Sequence, residues 1–417
     1  VIQSLDREAL SGLLQRGPLR RLLIAFNRDG EETRIVGGAV RNALLGRPVT
    51  EVDCASTAVP DAMIRLADEA GFKSVPTGID HGTITVIVDG EPFEVTSLRE
   101  DVETDGRYAV VRFGRHFDAD ARRRDFTINA LSVALNGHLY DYTGGVADLA
   151  ARRVRFIGDP HKRIREDYLR ILRFFRFHAE YAEGDPDPEG LAAAGSERRG
   201  LAILSRERIR HELVRLLVAQ RAEDTIRILA QHGFLTWILD GVAEFGRLGR
   251  IVAADRDKPV AIWRLAALAV MVEEDADRLR ERLRLSNDEH RKLAAYARLL
   301  TVLKTRPLPL DALAARRLAA EHGVETLGPV LAATAGEPQP VVLPEALEAI
   351  GRFRDGTESV PIFPIRGADL VAGGIPKGPR VGEIMTLARQ AWLAEGCPTD
   401  EAYARDLLRR VLDQAAP

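Results

Sequence analysis

Residues 158–177 place Asp167, Arg170, Arg173 and Arg176 at a constant three-residue interval. If the run is helical from Ile164 onward, these four climb one side at roughly 4.5 Å per step, while Leu169, Leu172 and Phe175 mark an apolar side. Such a row suits a nucleobase with its phosphates. Asp167 can accept from an exocyclic amine, Arg170 can donate to a ring acceptor, and the later arginines can hold phosphate oxygens. The same spacing also builds an ion-paired amphipathic helix with no such task, so its meaning depends on the other reactive groups in the chain.

Three further groups carry chemistry. Gly37-Gly38-Ala39-Val40-Arg41 follows a β-rich stretch and precedes a helical pattern. Paired glycines there let backbone N–H groups approach a phosphate, and Arg41 can add charge-assisted hydrogen bonds. Glu51 and Asp53, two apart on an extended segment, point to the same face and can jointly hold a hard divalent cation such as Mg²⁺. In Arg123-Arg124-Asp125-Phe126-Thr127-Ile128-Asn129, Arg124 can reach a triphosphate, and Asp125 or Asn129 can engage ribose hydroxyls. Taken singly, each has a plainer reading: a solvated acidic turn for Glu51 and Asp53, a helix cap for Asp125.

The elements that must position these groups alternate in type. The first ~30 residues read as amphipathic helix, with leucines at 10, 13, 14, 19, 22 and 23. Short β-rich stretches at 34–36, 83–88, 93–96 and 139–142 alternate with helical patterns at 60–70 and 126–135. Asp89-Gly90 between two strands signals a hairpin, so the sheet is expected to be mixed rather than purely parallel. Strand signals largely cease after residue 158, and helical periodicity dominates the remainder. Ser205 is expected to cap the helix that begins Arg206-Glu207-Arg208-Ile209, a helix expected to support the one carrying Asp167 and Arg170. Residues 185–190 read as a loop between helices, and the proline-rich residues 337–364 as a boundary before a last helical subdomain.

Composition narrows the function class. The chain has 417 residues, net charge −3, 29% charged and 46% hydrophobic residues, which excludes a disordered or generically basic protein. Any nucleic-acid contact must be local, and residues 152–176, with nine Lys or Arg against three Asp or Glu, supply such a local surplus. Cys54 and Cys397 lack metal-ligand spacing and suit a reducing compartment. No apolar run approaches the ~18 residues of a membrane span and no signal-peptide layout is present, so no membrane partner and a cytoplasmic location are expected. Nothing in the pattern sets an oligomeric state.

In order, Gly-Gly-x-Val-Arg with its acid-x-Asp pair, Arg-Arg-Asp-Phe-Thr-x-Asn-Ala, Gly-Asp-Pro-x-x-Arg-Ile, Glu-Asp-x-x-Arg-x-x-Arg and Ser-x-Glu-Arg-Ile resemble the class II tRNA nucleotidyltransferase and bacterial poly(A) polymerase family. That family belongs to the superfamily that includes DNA polymerase β, and the resemblance is close over residues 33–215. It implies an α+β chain: a mixed-sheet nucleotidyltransferase head over 1–157, a helical neck with the nucleotide-selecting motif over 158–245, and a helical body and tail over 246–417 for tRNA. It further implies that Glu51 and Asp53 are catalytic and bind two Mg²⁺ ions. Gly38, Arg41, Arg124, Arg173 and Arg176 would contact the nucleotide, while Asp167 and Arg170 would pair with cytosine or adenine in place of a template. Residues 98–122 match the position of the family's flexible loop, which helps switch specificity from C to A.

Two positions depart from the family pattern: Asn42 stands where Asp is usual after Val-Arg, and Glu51 where the metal pair usually begins with Asp. The extra methylene of Glu51 moves its carboxylate by about 1.5 Å unless the backbone compensates. The resemblance implies addition of CCA to tRNA 3′ ends from CTP and ATP. A poly(A) polymerase or a partial CC- or A-adding enzyme would use the same motifs. The final residues lack the basic extension common among those poly(A) polymerases, which favours tRNA. A catalytically inactive RNA-binding protein is the reading from a different class, motivated by Glu51 and Asn42.

Overall fold

The computed structural model describes residues 5–100 and 112–415. Its contacts group the chain into two compact units, Val1–Leu204 and Ser205–Pro417. In the first, leucine periodicity produces two helices rather than one, α1 (Arg7–Gln15) and α2 (Gly17–Phe26). Arg16 between them is extended, and Pro18, which has no N–H to donate, sits in the first turn of α2.

The sheet follows: β1 (Thr33–Val36), α3 (Gly38–Leu44), β2 (Asp53–Ser56), α4 (Pro60–Glu69), β3 (Lys73–Gly78), β4 (Thr83–Val88) and β5 (Glu91–Ser97). A short ribbon, β6 (Arg99–Glu100) with β7 (Arg112–Phe113), flanks residues 101–111, the part of the expected loop over 98–122 that lies outside the described residues. Then come α5 (Phe117–Arg122), β8 (Ser132–Val133), β9 (Leu139–Tyr140) and α6 (Gly145–Ala150). The strand order β3-β4-β5-β2-β1-β8-β9 is mixed: β2 and β5 run parallel and the other neighbours antiparallel. Asp89 and Gly90 both take positive φ (52° and 85°), the geometry that closes a two-residue hairpin between β4 and β5.

Alternation in β4 buries Ile84, Val86 and Val88, and α2 and α4 pack on it, contributing Leu19, Leu22, Leu23, Phe26, Met63 and Leu66. The helical pattern at 126–135 is not a helix. A single 3₁₀ turn, Thr127–Asn129, leads straight into β8, because Phe126 and Thr127 pair with residues 155–156 instead of continuing a coil of their own. The unit ends with α7 (Pro160–Glu166), α8 (Leu169–Tyr181) and α9 (Pro188–Glu197), the last capped by Asp187 in the expected loop.

The second unit is helical throughout its described elements, from Arg206–Leu217 to Glu401–Ala415. The Ser205 hydroxyl accepts from Arg208 N at 3.4 Å, the expected cap. The stretch 337–364 is not simply a boundary: it contains helix Pro344–Arg354, which packs on Ala312–His322. Beyond it a separate apolar cluster gathers Ile365, Leu370, Ile384, Trp392 and Leu407. Among the described residues no helix is long and apolar enough to cross a membrane.

The turn that leads to β8 is held from beneath by Gly145, where a Cβ would come within 2.2 Å of the Thr127 carbonyl oxygen. Backbone cannot yield as a side chain does. Gly145→Ala is expected to cost about 2 kcal/mol or more in urea unfolding; an unchanged midpoint would contradict this packing.

Candidate active site

Asp53 opens β2 with its side chain exposed, and Glu51 is exposed two residues earlier, on the other side of buried Val52. Parallel pairing sets Asp53 beside Glu94 of β5, an acid that local pattern did not single out. The available signal was an outward-facing charge between Phe93 and Val95, yet only the tertiary pairing brings it to Asp53. Desolvation by the surrounding strands pushes the Asp53 carboxyl above its ordinary value; the charges of Glu94 and Glu51 push the same way, against relief from Arg124. Glu51, Asp53, Glu94 and Thr85 line a cleft of ≈ 340 Å³. Arg16 and Glu91, ion-paired at 2.5 Å, line the same cleft, whereas Glu51, Asp53 and Glu94 offer hard oxygens whose mutual repulsion a divalent cation would relieve, so these three fit one. Among the described residues no group of three His, Cys, Asp or Glu forms a ready cage. Mg²⁺ does not need one, since it is commonly held by one or two carboxylates with waters and substrate phosphates.

Gly37, with φ 67°, makes the turn from β1 into α3, and its N–H donates to the Leu131 carbonyl at 3.0 Å. A Cβ at this position would stand 3.0 Å from Arg124 Nη1. Arg124 is oriented by Asp120 (3.2 Å) and by the Asn129 carbonyl (3.3 Å), so one guanidinium lies against the glycine turn while its charge acts on Asp53. These three sequence groups therefore meet.

Arg41 is turned inward and buried. It donates to the side chains of Asn129, Asn42 (3.1 and 3.2 Å) and Tyr181 (2.8 Å), with its guanidinium 4.0 Å from the Tyr181 ring centroid. Asn129 in turn donates to Asp125 at 3.0 Å, and the other Asp125 oxygen receives Arg173 Nε at 2.7 Å and Nη2 at 2.5 Å. Burial alone would raise the Asp125 pKa, but the Arg173 charge and hydrogen bonds from Asn129, Arg173 and the Phe126 N–H hold it below the ordinary value. Asp125 thus ties the 3₁₀ turn to α8 within the protein, where the sequence had suggested ribose contact or a helix cap.

The helix expected from Ile164 onward is broken. Asp167 is extended (φ −157°, ψ 107°), closing α7, and its side chain accepts from Leu169 N at 3.1 Å at the start of α8. Asp side chains compete for free backbone donors in this way, so a continuous three-residue spacing conceals a junction. The regular row therefore begins at Arg170. Arg170 Nη1 donates to Glu166 (2.6 Å) and to the Arg163 carbonyl (2.8 Å), while Arg163 itself reaches the Arg122 carbonyl and the Ile157 carbonyl (3.1 Å). Side-chain exposure is 18% for Arg170, 32% for Arg173 and 2% for Arg176, so the first two keep partial access to solvent and only Arg176 is buried. Arg176 pairs with Glu180 at 3.0 Å. Leu169, Leu172 and Phe175 are buried as expected, and so are Ile171 and Phe174.

A mixed sheet presenting strand-borne carboxylates beside a glycine turn and a guanidinium is the architecture of a nucleotidyltransferase head. Residues 33–155 match the family described as poly A polymerase head domain, and residues 185–245 match the probable RNA and SrmB-binding site of polymerase A. The mitochondrial CCA tRNA nucleotidyltransferase 1 of Mus musculus is 34% identical over 91% of this chain and 86% of its own length. Its Danio rerio counterpart is 36% identical over 88% and 84%. Among solved structures, the Bacillus stearothermophilus CCA-adding enzyme in complex with CTP superposes with a TM-score of 0.73 at 26% identity, covering 96% of this chain and 99% of that one. The chain belongs to the family of CCA-adding tRNA nucleotidyltransferases and poly(A) polymerases.

The Asp125–Arg173 pair gives a signed pH dependence. Because the folded-state pKa of Asp125 is depressed, its stabilisation is fully present above the ordinary value of 3.8 and is lost as pH falls through the folded value. Asp125→Asn should cost roughly 2 kcal/mol at neutral pH, and urea melts of both proteins should converge under more acidic conditions. A deficit that stays constant with pH would contradict the assignment.

Proposed function

We propose that the protein adds CCA to tRNA 3′ ends from CTP and ATP without a nucleic-acid template. One observation carries this reading: the Asp125–Arg173 pair ties the Arg124 segment, which lies against the glycine turn and acts on Asp53, to the helix that begins beside Asp167 and carries Arg170. A phosphate-handling side and a base-reading side thereby belong to one site. The names of the relatives and the CTP complex of the Bacillus stearothermophilus enzyme support the same substrates.

In this reading Glu51 and Asp53, with Glu94 alongside, hold Mg²⁺, in two ions. When bound, they supply positive charge that makes the primer 3′-hydroxyl a better nucleophile and offsets charge on the leaving pyrophosphate. The Gly37–Gly38 turn and Arg124 seat the triphosphate, with Arg41 behind Gly38. Asp167 accepts from the exocyclic amine of cytosine or adenine, and Arg170 donates to the adjacent ring nitrogen. Uracil and guanine would oppose carbonyl to carboxylate and N–H to guanidinium, costing about 1–3 kcal/mol per unsatisfied group. Arg173 and Arg176 act on the nucleotide from α8, Arg173 while bound to Asp125 and Arg176 through its charge from within the protein. The helical second unit binds tRNA. The proposed compartment is the cytoplasm, which suits two buried, unpaired cysteines, although the animal relatives carry mitochondrial names.

Incorporation should be followed at single-nucleotide resolution on tRNA transcripts ending before CCA, after C and after CC. Addition that stops at CCA, depends on Mg²⁺ and falls at least 10³-fold in Asp53→Ala is expected. Long A tails would instead identify a poly(A) polymerase, and tRNA binding with no incorporation would identify an inactive RNA-binding protein. Arg170→Ala should lower discrimination against UTP by about tenfold or more while tRNA affinity stays within about twofold.

A further inference from the structure

Arg41 is a buried cation whose hydrogen-bond partners are all neutral. Its Nε and Nη2 donate to Asn42 Oδ1, its Nη1 to Asn129 Oδ1, and its Nη2 also to the Tyr181 hydroxyl. Among the described residues no carboxylate pairs with it. The acid that acts on it through space, Glu180, is bonded to Arg176, and Arg176 adds positive charge of its own. Arg47 stacks on the same Tyr181 ring, at 4.8 Å from the centroid, as a further cation. Burial is the leading cause of a guanidinium pKa below the ordinary value, as an uncompensated interior charge requires. The charge is also well placed, since a Cβ on Gly38 would lie 3.6 Å from Arg41 Nη2, putting the guanidinium directly against the glycine turn.

Asn42 is what makes this arrangement possible. Its Oδ1 receives Arg41 twice and the Tyr181 hydroxyl at 3.3 Å, while its Nδ2 donates to the Pro48 carbonyl at 3.5 Å. A carboxylate on the same atoms would form an ion pair with Arg41 and reduce a unit charge to a dipole, whose field falls off faster with distance. We propose that Asn42 sets the affinity for the nucleotide triphosphate: as a neutral acceptor it positions Arg41 without cancelling its charge, leaving that charge to act on phosphates seated at Gly37–Gly38. The proposal rests on the reading of that turn as the triphosphate seat. Asn42 is a positioning residue; the charge that reaches the substrate belongs to Arg41.

The test compares CTP and CMP affinities of the full-length protein, Asn42→Asp and Asn42→Ser by calorimetry in Mg²⁺ without tRNA. Asn42→Asp should weaken CTP binding by about tenfold and CMP binding by less than about threefold, because CTP carries the larger phosphate charge. Its melting temperature should not fall, since the new carboxylate gains Arg41 as a partner. Asn42→Ser weakens the same hydrogen bonds without adding charge and should keep the wild-type ratio of CTP to CMP affinity. An unchanged ratio in Asn42→Asp, or an equal drop in ratio in Asn42→Ser, would overturn the role assigned to Asn42. Wild-type protein that binds CTP no better than CMP would remove the triphosphate seat itself, and the proposal with it.

Discussion

The Asp125 carboxylate, buried and gripped by both Nε and Nη2 of Arg173, is the constraint on which the site depends. Burying a carboxylate is costly unless its lone pairs are met, and here Asn129 and the Phe126 N–H meet one oxygen while two N–H groups of Arg173 meet the other. The surroundings strengthen the pair by excluding water: Phe126 packs on Phe156, Phe174 and Phe177, with ring centroids 4.9–6.3 Å apart. Such a pair does little for net stability compared with an apolar replacement, but it tolerates few geometries. Its value lies in fixing how α8 is placed against the turn that precedes β8.

From that fixed point two kinds of chemistry are divided between two supports. In the proposed mechanism the sheet carries the charge chemistry, with Asp53 and Glu94 on neighbouring parallel strands and Glu51 at the entry to β2. The proposed base-reading groups sit at the α7–α8 junction, with Asp167 at the break and Arg170 in the first turn beyond it. A second link joins α3 to the far end of α8, where Tyr181 meets Arg41 and Asn42. Held at Arg173 and again at Tyr181, α8 has little freedom to tilt relative to the glycine turn, which would fix the spacing between the proposed base and phosphate sites.

Features encoded locally were legible in the chain. The Asp89-Gly90 hairpin, the strand at 83–88 and the Ser205 cap each depend on a few adjacent residues, and each is present. Features created by tertiary contact were not. Glu94 gains its position only through the parallel pairing of β2 with β5, two strands separated in sequence by α4 and a hairpin. The helical pattern at 126–135 yields to pairing with residues 155–157, and the unbroken arginine spacing hides the junction at Asp167 because side-chain capping leaves no mark on a three-residue interval. Residue type alone also did not show that Arg41 and Arg176 would be buried while Arg124 lies at the turn.

The hold of Asp125 on α8 is tested by a double-mutant cycle between Asp125→Asn and Arg173→Met, read both in unfolding free energy and in the ratio of CTP to UTP incorporation. A coupling of at least about 1 kcal/mol in stability is expected, with a discrimination ratio that falls in either single variant and little further loss in the double. Additive effects within about 0.5 kcal/mol, or discrimination untouched by breaking the pair, would show that α8 is held in place by something else.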